Sequence, residues 1–404
     1  MKKIIILCLF IYGAYADELD IFDAVDATQS SFEVEEKLLD MELKLSYQYN
    51  DARDDDKYLF FNLKKDAKNY ALDARVIAND DNQSFLIKEL YYKDTFFDHH
   101  ISVGRMNIKN GVATAYNPTD YFRSNASLTL SSDPKEQKDN RLGSLAIRDV
   151  MFIDSFTIKN IFVPRVSAGD DSFLTNKEYI GLHLDSTNEL QSINLYVDYS
   201  GFKDTSLALT LHKNDEESDI GLNLSYIYSA LIIYSESSLR KFEDGFYETY
   251  DNLLEDVEFV YETVFGLSYT NELNIVTSIE YIFNSGGLDE DGWKSFFNRQ
   301  KNPLTAPKMG AMRGEFAKKG VALSRETLFL LSRSSDVVTN LDLNAMMWLN
   351  PYDKSALTQV GGSYALSDTI ETIINYKHYF GDASSEYGSM FNTNEVLVEF
   401  QYFF

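Results

Sequence analysis

The chain has a single cysteine, Cys8, which lies within its first 16 residues. The rest of the chain therefore offers neither a disulfide nor a thiol nucleophile. Basic residues are also in deficit, because 37 Lys and Arg stand against 63 Asp and Glu, which gives a formal net charge of −26. This balance argues against a nucleic-acid-binding protein, since such proteins present a basic face to the phosphate backbone.

Proline and long apolar runs are scarce as well. Only 6 of 404 residues are proline, whereas average usage is about 5%. After the first 20 residues, no apolar run approaches the roughly 18 residues of a membrane-spanning helix, which excludes a helical membrane protein. Aromatic side chains are abundant, with 28 Phe and 27 Tyr. A sequence rich in aromatics and poor in proline favours strands over helices.

The N-terminus has the pattern of a secretory signal. Two lysines follow the initial methionine, an apolar stretch covers 4–12, and Ala14 and Ala16 form an A-x-A cleavage site. We expect residues 1–16 to be removed on export and residues 17–40 to form a periplasmic N-terminal segment. The remaining residues, 41–404, contain no linker or composition break, so they are predicted to form one domain.

Segments of about ten residues recur in which apolar and polar side chains alternate. In the segment 272–283, for example, Leu273, Ile275 and Ile279 lie on one face and Glu280 on the other. This period of two is expected of strands with one face toward lipid and the other toward water. We count about 18 such segments, with 16 as the alternative, and predict an all-β, transmembrane antiparallel β-barrel. The predicted strands are 41–49, 57–64, 69–79, 84–93, 98–108, 142–150, 155–163, 177–185, 190–199, 204–212, 218–228, 257–269, 272–283, 321–332, 338–348, 355–366, 369–379 and 394–404.

The connections between these segments fall into two length classes. If the last strand descends to the periplasm, the short links all fall on the periplasmic rim and the long ones on the outer rim, which is the asymmetry of outer-membrane barrels. All six prolines fall in the links, where no ladder hydrogen bond is lost. The short links are 65–68, 186–189, 214–217, 270–271 and 367–368, and the long ones are 109–141, 164–176, 238–256, 285–320 and 381–393.

The C-terminus ends in Phe404, with Tyr402 and Phe400 on the same face and Gln401 and Glu399 on the other. This pattern resembles the C-terminal targeting strand of Gram-negative outer-membrane barrels, which the barrel-assembly machinery reads. A soluble β-sandwich or propeller would also alternate, but it would not need this ending. The resemblance therefore favours an outer-membrane barrel.

Charged side chains lie on the face of the strands opposite to the apolar one. A charge facing lipid at mid-depth would cost about 2 to 4 kcal/mol for Arg or Lys, so we expect these residues to face an aqueous interior. Each one taken singly is more often a solvated wall position or an ion-pair partner than a solute contact. The predicted inward charges are Asp73, Arg75, Arg148, Lys159, Asp198, Glu258, Glu262, Glu280, Asp342 and Glu399.

These inward charges also bear on what the barrel would conduct. Barrels of 16 to 18 strands enclose a water channel, and the charges of its wall set ion selectivity by their combined field. The acidic excess predicts a preference for cations. Arg75, Arg148 and Lys159 form a local basic strip on the predicted wall.

The most specific pattern lies in 98–123. Gly104 and Arg105 end a strand, and the sequence Asn-Pro-Thr-Asp follows at 117–120. This arrangement resembles a porin-like family of Gram-negative barrels, related to the alginate-export type, in which a Gly-Arg strand end precedes an N-P-T-D loop that folds toward the pore. That family has Trp-Gly where this chain has Asn110 followed by glycine. The resemblance implies a pore and names no solute.

The length of the connection 109–141 agrees with an inward loop. Its 33 residues are too many for a hairpin, so it caps the barrel or enters it. We expect Asn117, Asp120 and Tyr121 to lie at the constriction. Strict alternation places Arg105 on the apolar face, so we expect either a bulge at Gly104 that swings Arg105 inward to meet Asp120, or a guanidinium that snorkels at the membrane rim.

Other candidate sites carry less weight. The loop 285–320 carries the acidic run 289–291, which matches no complete calcium motif, so we expect a solvated, mobile loop there, with a surface lid or a calcium-bridged loop as the alternative. His99 and His100 are adjacent on a strand and point to opposite faces, so they cannot share a metal ion in regular geometry. The sequence contains no nucleophile elbow, metal triad or phosphate-binding glycine loop. We therefore predict no cofactor, no metal and no enzymatic activity.

Together these observations predict an outer-membrane porin, a passive diffusion channel for small hydrophilic solutes or ions. Two alternatives remain: a plugged structural or adhesive barrel, and an outer-membrane hydrolase. The expected partners are outer-membrane lipid and lipopolysaccharide, the barrel-assembly machinery and small hydrophilic solutes. A homo-oligomer is left open.

Overall fold

The alternating segments form strands that pair with their neighbours in chain order. The computed structural model describes residues 39–51, 56–79, 83–123, 126–166, 180–181, 183–242, 259–318, 322–390 and 393–404. The statements below concern these residues. The predicted signal peptide, nearly all of the predicted periplasmic segment and Glu258 lie outside them.

Eighteen strands form the wall, and β8 is an additional strand of two residues. The wall strands are β1 (Asp40–Asn50), β2 (Asp56–Asp66), β3 (Tyr70–Ala78), β4 (Gln83–Phe96), β5 (His99–Met106), β6 (Ser144–Ile153), β7 (Phe156–Val163), β9 (Ser192–Phe202), β10 (Thr205–Asn214), β11 (Glu217–Tyr228), β12 (Leu231–Phe242), β13 (Phe259–Thr270), β14 (Ile275–Asn284), β15 (Glu326–Val338), β16 (Leu341–Leu349), β17 (Ala356–Ser367), β18 (Ile370–Phe380) and β19 (Asn394–Phe403). The other elements are β8 (Ile180–Gly181), α1 (Pro134–Asp139), α2 (Leu184–Thr187), α3 (Glu290–Gln300) and α4 (Ala306–Lys318).

The sheet closes on itself through its first and last strands. Leu45 of β1 pairs with Leu59 of β2 on one side and with Phe400 of β19 on the other. The wall strands are antiparallel to their neighbours, and β7 pairs directly with β9. The short β8 runs parallel to the first residues of β4, where Ile180 pairs with Phe85. The predicted antiparallel barrel of 18 strands is confirmed.

Exposure alternates along the strands as the sequence predicts. In β1, Leu45 is 51% exposed and its neighbour Ser46 only 4%, and in β11 the corresponding values are 48% for Leu222 and 2% for Asn223. The exposed apolar side chains form an outer surface far larger than the patches that soluble monomers show, as expected of a lipid-facing wall. In the part of the chain that the structure describes, none of the helices combines the length and apolar character needed to span a membrane.

The two rims differ in the way the sequence predicts, although some links were assigned to the wrong rim. We call the rim where β1 begins and β19 ends the turn rim, and the opposite one the loop rim. Connections at the turn rim span two to four residues, whereas the loop rim carries the long segments 107–143 and 285–325. The links predicted at 186–189 and 214–217 lie at the loop rim, which corrects their placement.

Those two errors have one cause. The sequence reading missed β12, whose outward face carries Ser235 and Ser237 and so alternates weakly. It also predicted a strand over 177–185, of which only Ile180–Gly181 is extended among the described residues. The two mistakes cancel in the strand count, but they reverse the predicted direction of β9, β10 and β11.

The connection between β14 and β15 is a helical hairpin with its own small core. Trp293, Phe296 and Phe297 of α3 pack against Met309 and Met312 of α4. The acidic run at its start has a structural role, since Asp289 caps α3 by accepting a hydrogen bond from the Gly292 nitrogen at 2.9 Å. The packed helices contradict the solvated, mobile loop that the sequence predicts for this segment.

Candidate functional site

The connection between β5 and β6, residues 107–143, folds into the barrel interior. We call it the constriction loop, after the role that the sequence predicts for it. Its first part, 111–123, is the docked segment and packs against the inward faces of β10–β14. Its second part, 126–142, is the arm, which carries α1 and reaches β3 and β15.

Glu236 of β12 holds the two ends of the docked segment together. Its Oε2 accepts hydrogen bonds from the Val112 and Ala113 nitrogens at 2.8 and 3.0 Å. Its Oε1 accepts from the nitrogen and the hydroxyl of Thr119, both at 2.8 Å. A buried carboxylate without partners would be very costly, so these four donors fix both the carboxylate and the loop.

Gly111 permits this close approach. Its φ is +92°, a conformation that favours glycine. A Cβ at this position would lie 2.6 Å from Oε1 of Glu236. The loop backbone can therefore reach the carboxylate only because residue 111 lacks a side chain.

Two more buried glutamates hold the docked segment on the neighbouring strands. Glu280 of β14 accepts from the Thr114 nitrogen at 2.5 Å and from the Ala115 nitrogen at 3.0 Å. Glu262 of β13 accepts from the Tyr116 hydroxyl and pairs with Arg123 at 3.0 Å. Three adjacent strands thus each contribute one carboxylate to the same loop.

The far end of the docked segment is held by ring contacts. Tyr121 stacks on His212 of β10 with ring centroids 4.7 Å apart, and Phe122 meets the same imidazole edge-on at 5.8 Å. The Tyr121 hydroxyl lies 3.3 Å from the Ser238 hydroxyl. Gly221 of β11 leaves room for this hydroxyl, since a Cβ there would lie 2.7 Å from it.

Asp120 has a different partner from the one that the sequence predicts. Its carboxylate pairs with Arg141 at 3.0 Å, which ties the docked segment to the arm. Arg105 is buried, and its Nε donates to the Gly143 carbonyl at 2.8 Å. The register of β5 with both neighbours is unbroken, so neither the bulge nor the exposed rim position expected for Arg105 is formed.

The arm is held by a smaller set of polar contacts. Asp133 caps α1 by accepting from the Lys135 nitrogen at 2.8 Å, and its other oxygen pairs with Arg333 of β15. At the other end of α1, the Asn140 amide oxygen accepts from Arg75 at 3.0 Å and from Lys88 at 3.2 Å. The arm thus lies between two parts of the wall.

A polar cavity of about 390 Å³ remains between the arm and the wall formed by β15–β19, β1 and β3. Five of its lining residues are acidic and three are basic. Arg333 and Asp133 pair with each other, so the net negative charge of the lining comes from its other charged residues. The charged lining residues are Glu42, Asp133, Glu136, Asp342, Glu371, Lys44, Arg75 and Arg333.

Burial within the lumen shifts the pKa values of several loop side chains. It raises the pKa of Glu136, which the nearby positive charge of Lys44 only partly offsets. It also raises the pKa of Tyr116, so this hydroxyl stays neutral and donates to Glu262. Burial lowers the pKa of Lys138, whose ammonium donates to the Asn110 carbonyl at 2.8 Å.

Apart from Arg105, the structure divides the predicted pore-lining residues into three groups. Asn117, Asp120 and Tyr121 lie in the docked segment, where Glu262 and Glu280 receive it. Arg75 and Asp342 line the cavity, and Glu399 lies beside it through its 2.9 Å ion pair with Lys44. The third group, Arg148, Lys159 and Asp198, faces inward on β6, β7 and β9, away from the cavity lining.

Sequence reasoning missed several residues that hold the constriction loop in place. Glu236 was missed because β12 was not recognised as a strand. Arg123 and Arg333 belong to no recognisable motif. Their positive charge was the only signal in the sequence, and many other residues share it. The glycine at 111 was seen in the sequence, but its close contact with a carboxylate 125 positions away leaves no local signal.

Comparison with known proteins places this architecture among solved outer-membrane barrels. No family model matches the chain, and no curated protein sequence matches it. The structure resembles that of Pseudomonas aeruginosa OccK10 (OpdN), with a TM-score of 0.54, 14% identity, and coverage of 91% of this chain and 98% of that one. It also resembles the P. aeruginosa outer membrane protein opdK, with a TM-score of 0.53, 9% identity and coverage of 91% and 98%.

A barrel from a second organism gives the same result. Acinetobacter baumannii OccAB1 matches with a TM-score of 0.54, 7% identity, and coverage of 91% of this chain and 96% of that one. At these identities the likeness concerns the fold. It supports the outer-membrane type of β-barrel fold, and it gives no support to the alginate-export subtype.

Proposed function

We propose that the protein is an outer-membrane porin, a passive diffusion channel for small hydrophilic solutes or ions. The observation that carries this proposal is the constriction loop, which three buried carboxylates hold against one side of the lumen while a polar cavity stays open on the other. A loop held in this way narrows a pore without filling it. The barrel folds of OccK10 (OpdN) and opdK agree with this function.

The cavity lining suggests that the channel prefers cations. Its five acidic residues outnumber three basic ones, and the field of wall charges sets ion selectivity at close range. Arg75 and Lys44 place positive charge on the wall opposite Glu136 of the arm. A solute that carries both charges would be oriented as it passes.

We further propose that the chain is exported with cleavage after residue 16 and inserted with its turn rim toward the periplasm. Its neighbours would be outer-membrane lipid and lipopolysaccharide, and the C-terminal face of Phe400, Tyr402 and Phe404 would be read by the barrel-assembly machinery. All three aromatic side chains are exposed on the outer face of the wall, where such a machinery could contact them.

The proposal is tested by single-channel recording of the refolded protein in a planar bilayer, with the reversal potential measured under a salt gradient. We expect discrete conductance steps and a reversal potential on the cation-selective side. Silence from protein shown to be folded by heat-modifiable gel mobility would overturn the porin proposal. It would favour the plugged barrel, and hydrolysis of lipid or peptide substrates would favour the hydrolase.

A further inference from the structure

Three outer segments meet at one polar cluster on the loop rim. We call it the outer node and define it as Trp293, Ser324, Asn350 and Glu386. The Ser324 hydroxyl and the Asn350 amide donate to Oε2 of Glu386 at 2.7 and 2.9 Å. Ser324 also accepts from the Trp293 indole nitrogen at 3.1 Å. The helical hairpin, the β16–β17 loop and the β18–β19 loop are therefore joined through a single carboxylate.

Glu386 has one acidic and one basic residue nearby, and the two differ in what they contact. The Asp353 carboxylate faces it from the β16–β17 loop and accepts from the Glu386 nitrogen at 2.6 Å. Arg313 of α4 lies over the rings of Phe296 and Trp293, 5.1 and 5.8 Å from their centroids, and donates to the Ser389 hydroxyl at 2.8 Å. The Arg313 guanidinium thus contacts aromatic rings and a hydroxyl, whereas the Asp353 carboxylate lies next to Glu386.

The outer node is connected to the constriction loop by a very short piece of chain. Ala322, two residues before Ser324, donates its backbone N–H to the Tyr116 hydroxyl at 3.2 Å. Tyr116 in turn donates to Glu262, which also holds Arg123. A displacement of Ser324 therefore acts directly on a side chain that fixes the docked segment.

We propose that the outer node is a proton-operated latch, in which protonated Glu386 holds the helical hairpin in place and ionised Glu386 releases it, so that the pore responds to pH through Tyr116. The protonated acid accepts both hydrogen bonds without placing a charge beside Asp353. The ionised form places two carboxylates close together in an enclosed site, which is unfavourable. The latch itself does not depend on the proposed channel function. Only its predicted effect on conductance rests on that function.

The direction of the pH dependence follows from the same surroundings. Burial raises the pKa of Glu386 to about 7, and the charge of Asp353 adds to this effect. The hydrogen bonds from Ser324 and Asn350 and the charge of Arg313 act in the opposite direction and only partly offset it. An acid whose pKa is raised in the closed arrangement favours that arrangement while it holds its proton. The latch is therefore held most firmly below the ordinary glutamate pKa of 4.5, weakens as the pH rises above that value, and has lost this contribution once the pH passes about 7.

The latch is tested first by fluorescence, which needs no conductance. Trp293 lies in the node, and Trp348 is the only other tryptophan, so a Trp348→Phe background makes Trp293 the sole reporter. We expect the emission of refolded protein to change between about pH 4.5 and pH 7 and to stay constant over the same range after Glu386→Gln, because the amide mimics the protonated acid. The matched control Glu290→Gln, in an exposed residue of α3, should keep the transition.

Single-channel recording then tests the coupling. We expect open-channel noise to rise between about pH 4.5 and pH 7 in the wild type, to stay low at every pH in Glu386→Gln, and to stay high at every pH in Ser324→Ala. In Tyr116→Phe the fluorescence transition should remain while the noise no longer follows it. A fluorescence transition that persists in Glu386→Gln would overturn the latch. A wild-type channel that conducts with pH-independent noise would overturn its coupling to the pore, and absence of conductance would bear on the channel function instead.

Discussion

Oε1 of Glu236 lies 2.8 Å from both the backbone nitrogen and the hydroxyl oxygen of Thr119, a residue 117 positions earlier in the chain. The other oxygen of the same carboxylate binds the opposite end of the docked segment at Val112 and Ala113. One side chain of the wall thus closes the loop into a compact unit. Carboxylate-to-backbone bonds thus hold the docked segment, and the side chains of Tyr116, Tyr121 and Arg123 add their own contacts to the wall.

Glu236→Gln should loosen the docked segment. The amide group offers one acceptor oxygen and places a donor against the loop N–H groups, and each buried donor left without a partner costs about 1 to 3 kcal/mol. We expect larger and noisier conductance steps with a normally folded barrel. Glu272→Gln, in an exposed residue of the β13–β14 turn, is the matched control and should behave as the wild type. If the conductance steps of Glu236→Gln equal those of the wild type, Glu236 does not hold the docked segment in the pore.

Gly111→Ala should displace the loop more strongly. The added Cβ would meet Oε1 of Glu236 at 2.6 Å, and the backbone has a φ of +92°. We expect altered conductance and faster protease cleavage within the constriction loop. The control Gly310→Ala adds the same methyl group in α4, where nothing lies within 4 Å, and should stabilise the helix by about 0.5 to 1 kcal/mol. Equal behaviour of the two variants would contradict the close contact at Gly111.

Arg333→Gln should release the arm from β15. It removes the guanidinium that pairs with Asp133 and takes one positive charge from the cavity lining. We expect a higher conductance and a reversal potential shifted further toward cation selectivity. Arg165→Gln, an exposed arginine at the loop rim, removes the same charge outside the lumen and should shift neither. A shift toward anions in Arg333→Gln would show that the cavity is not the conducting path.

Glu136 should make cation selectivity sensitive to acid. Its pKa is raised, above all by burial, so it takes up a proton at a higher pH than an exposed glutamate does. As the pH falls, the lining loses this negative charge first, and the reversal potential should move toward zero before surface carboxylates titrate. In Glu136→Gln that early step should be absent. Asp291→Asn, in a residue exposed on α3, should keep it.

The predicted residues that met at the constriction were those on well-alternating strands. Glu262 and Glu280 were recognised as inward because their strands carry large apolar residues on the opposite face. Glu236 was not, since the outward face of β12 contains Ser235 and Ser237. Asn117 and Asp120 were found through the N-P-T-D pattern, but the partner of Asp120 was wrong because Arg141 lies 21 positions away and follows no spacing rule.

The sequence by itself determined the class of fold. The period of two, the lack of proline in the strands and the aromatic C-terminus all act locally or along one strand, so a single chain displays them. Tertiary structure alone decided which wall carboxylates receive the constriction loop and which side of the lumen stays open. Those contacts join residues more than 100 positions apart, and they depend on how 18 strands close into a ring, which leaves no pattern in any local stretch of sequence.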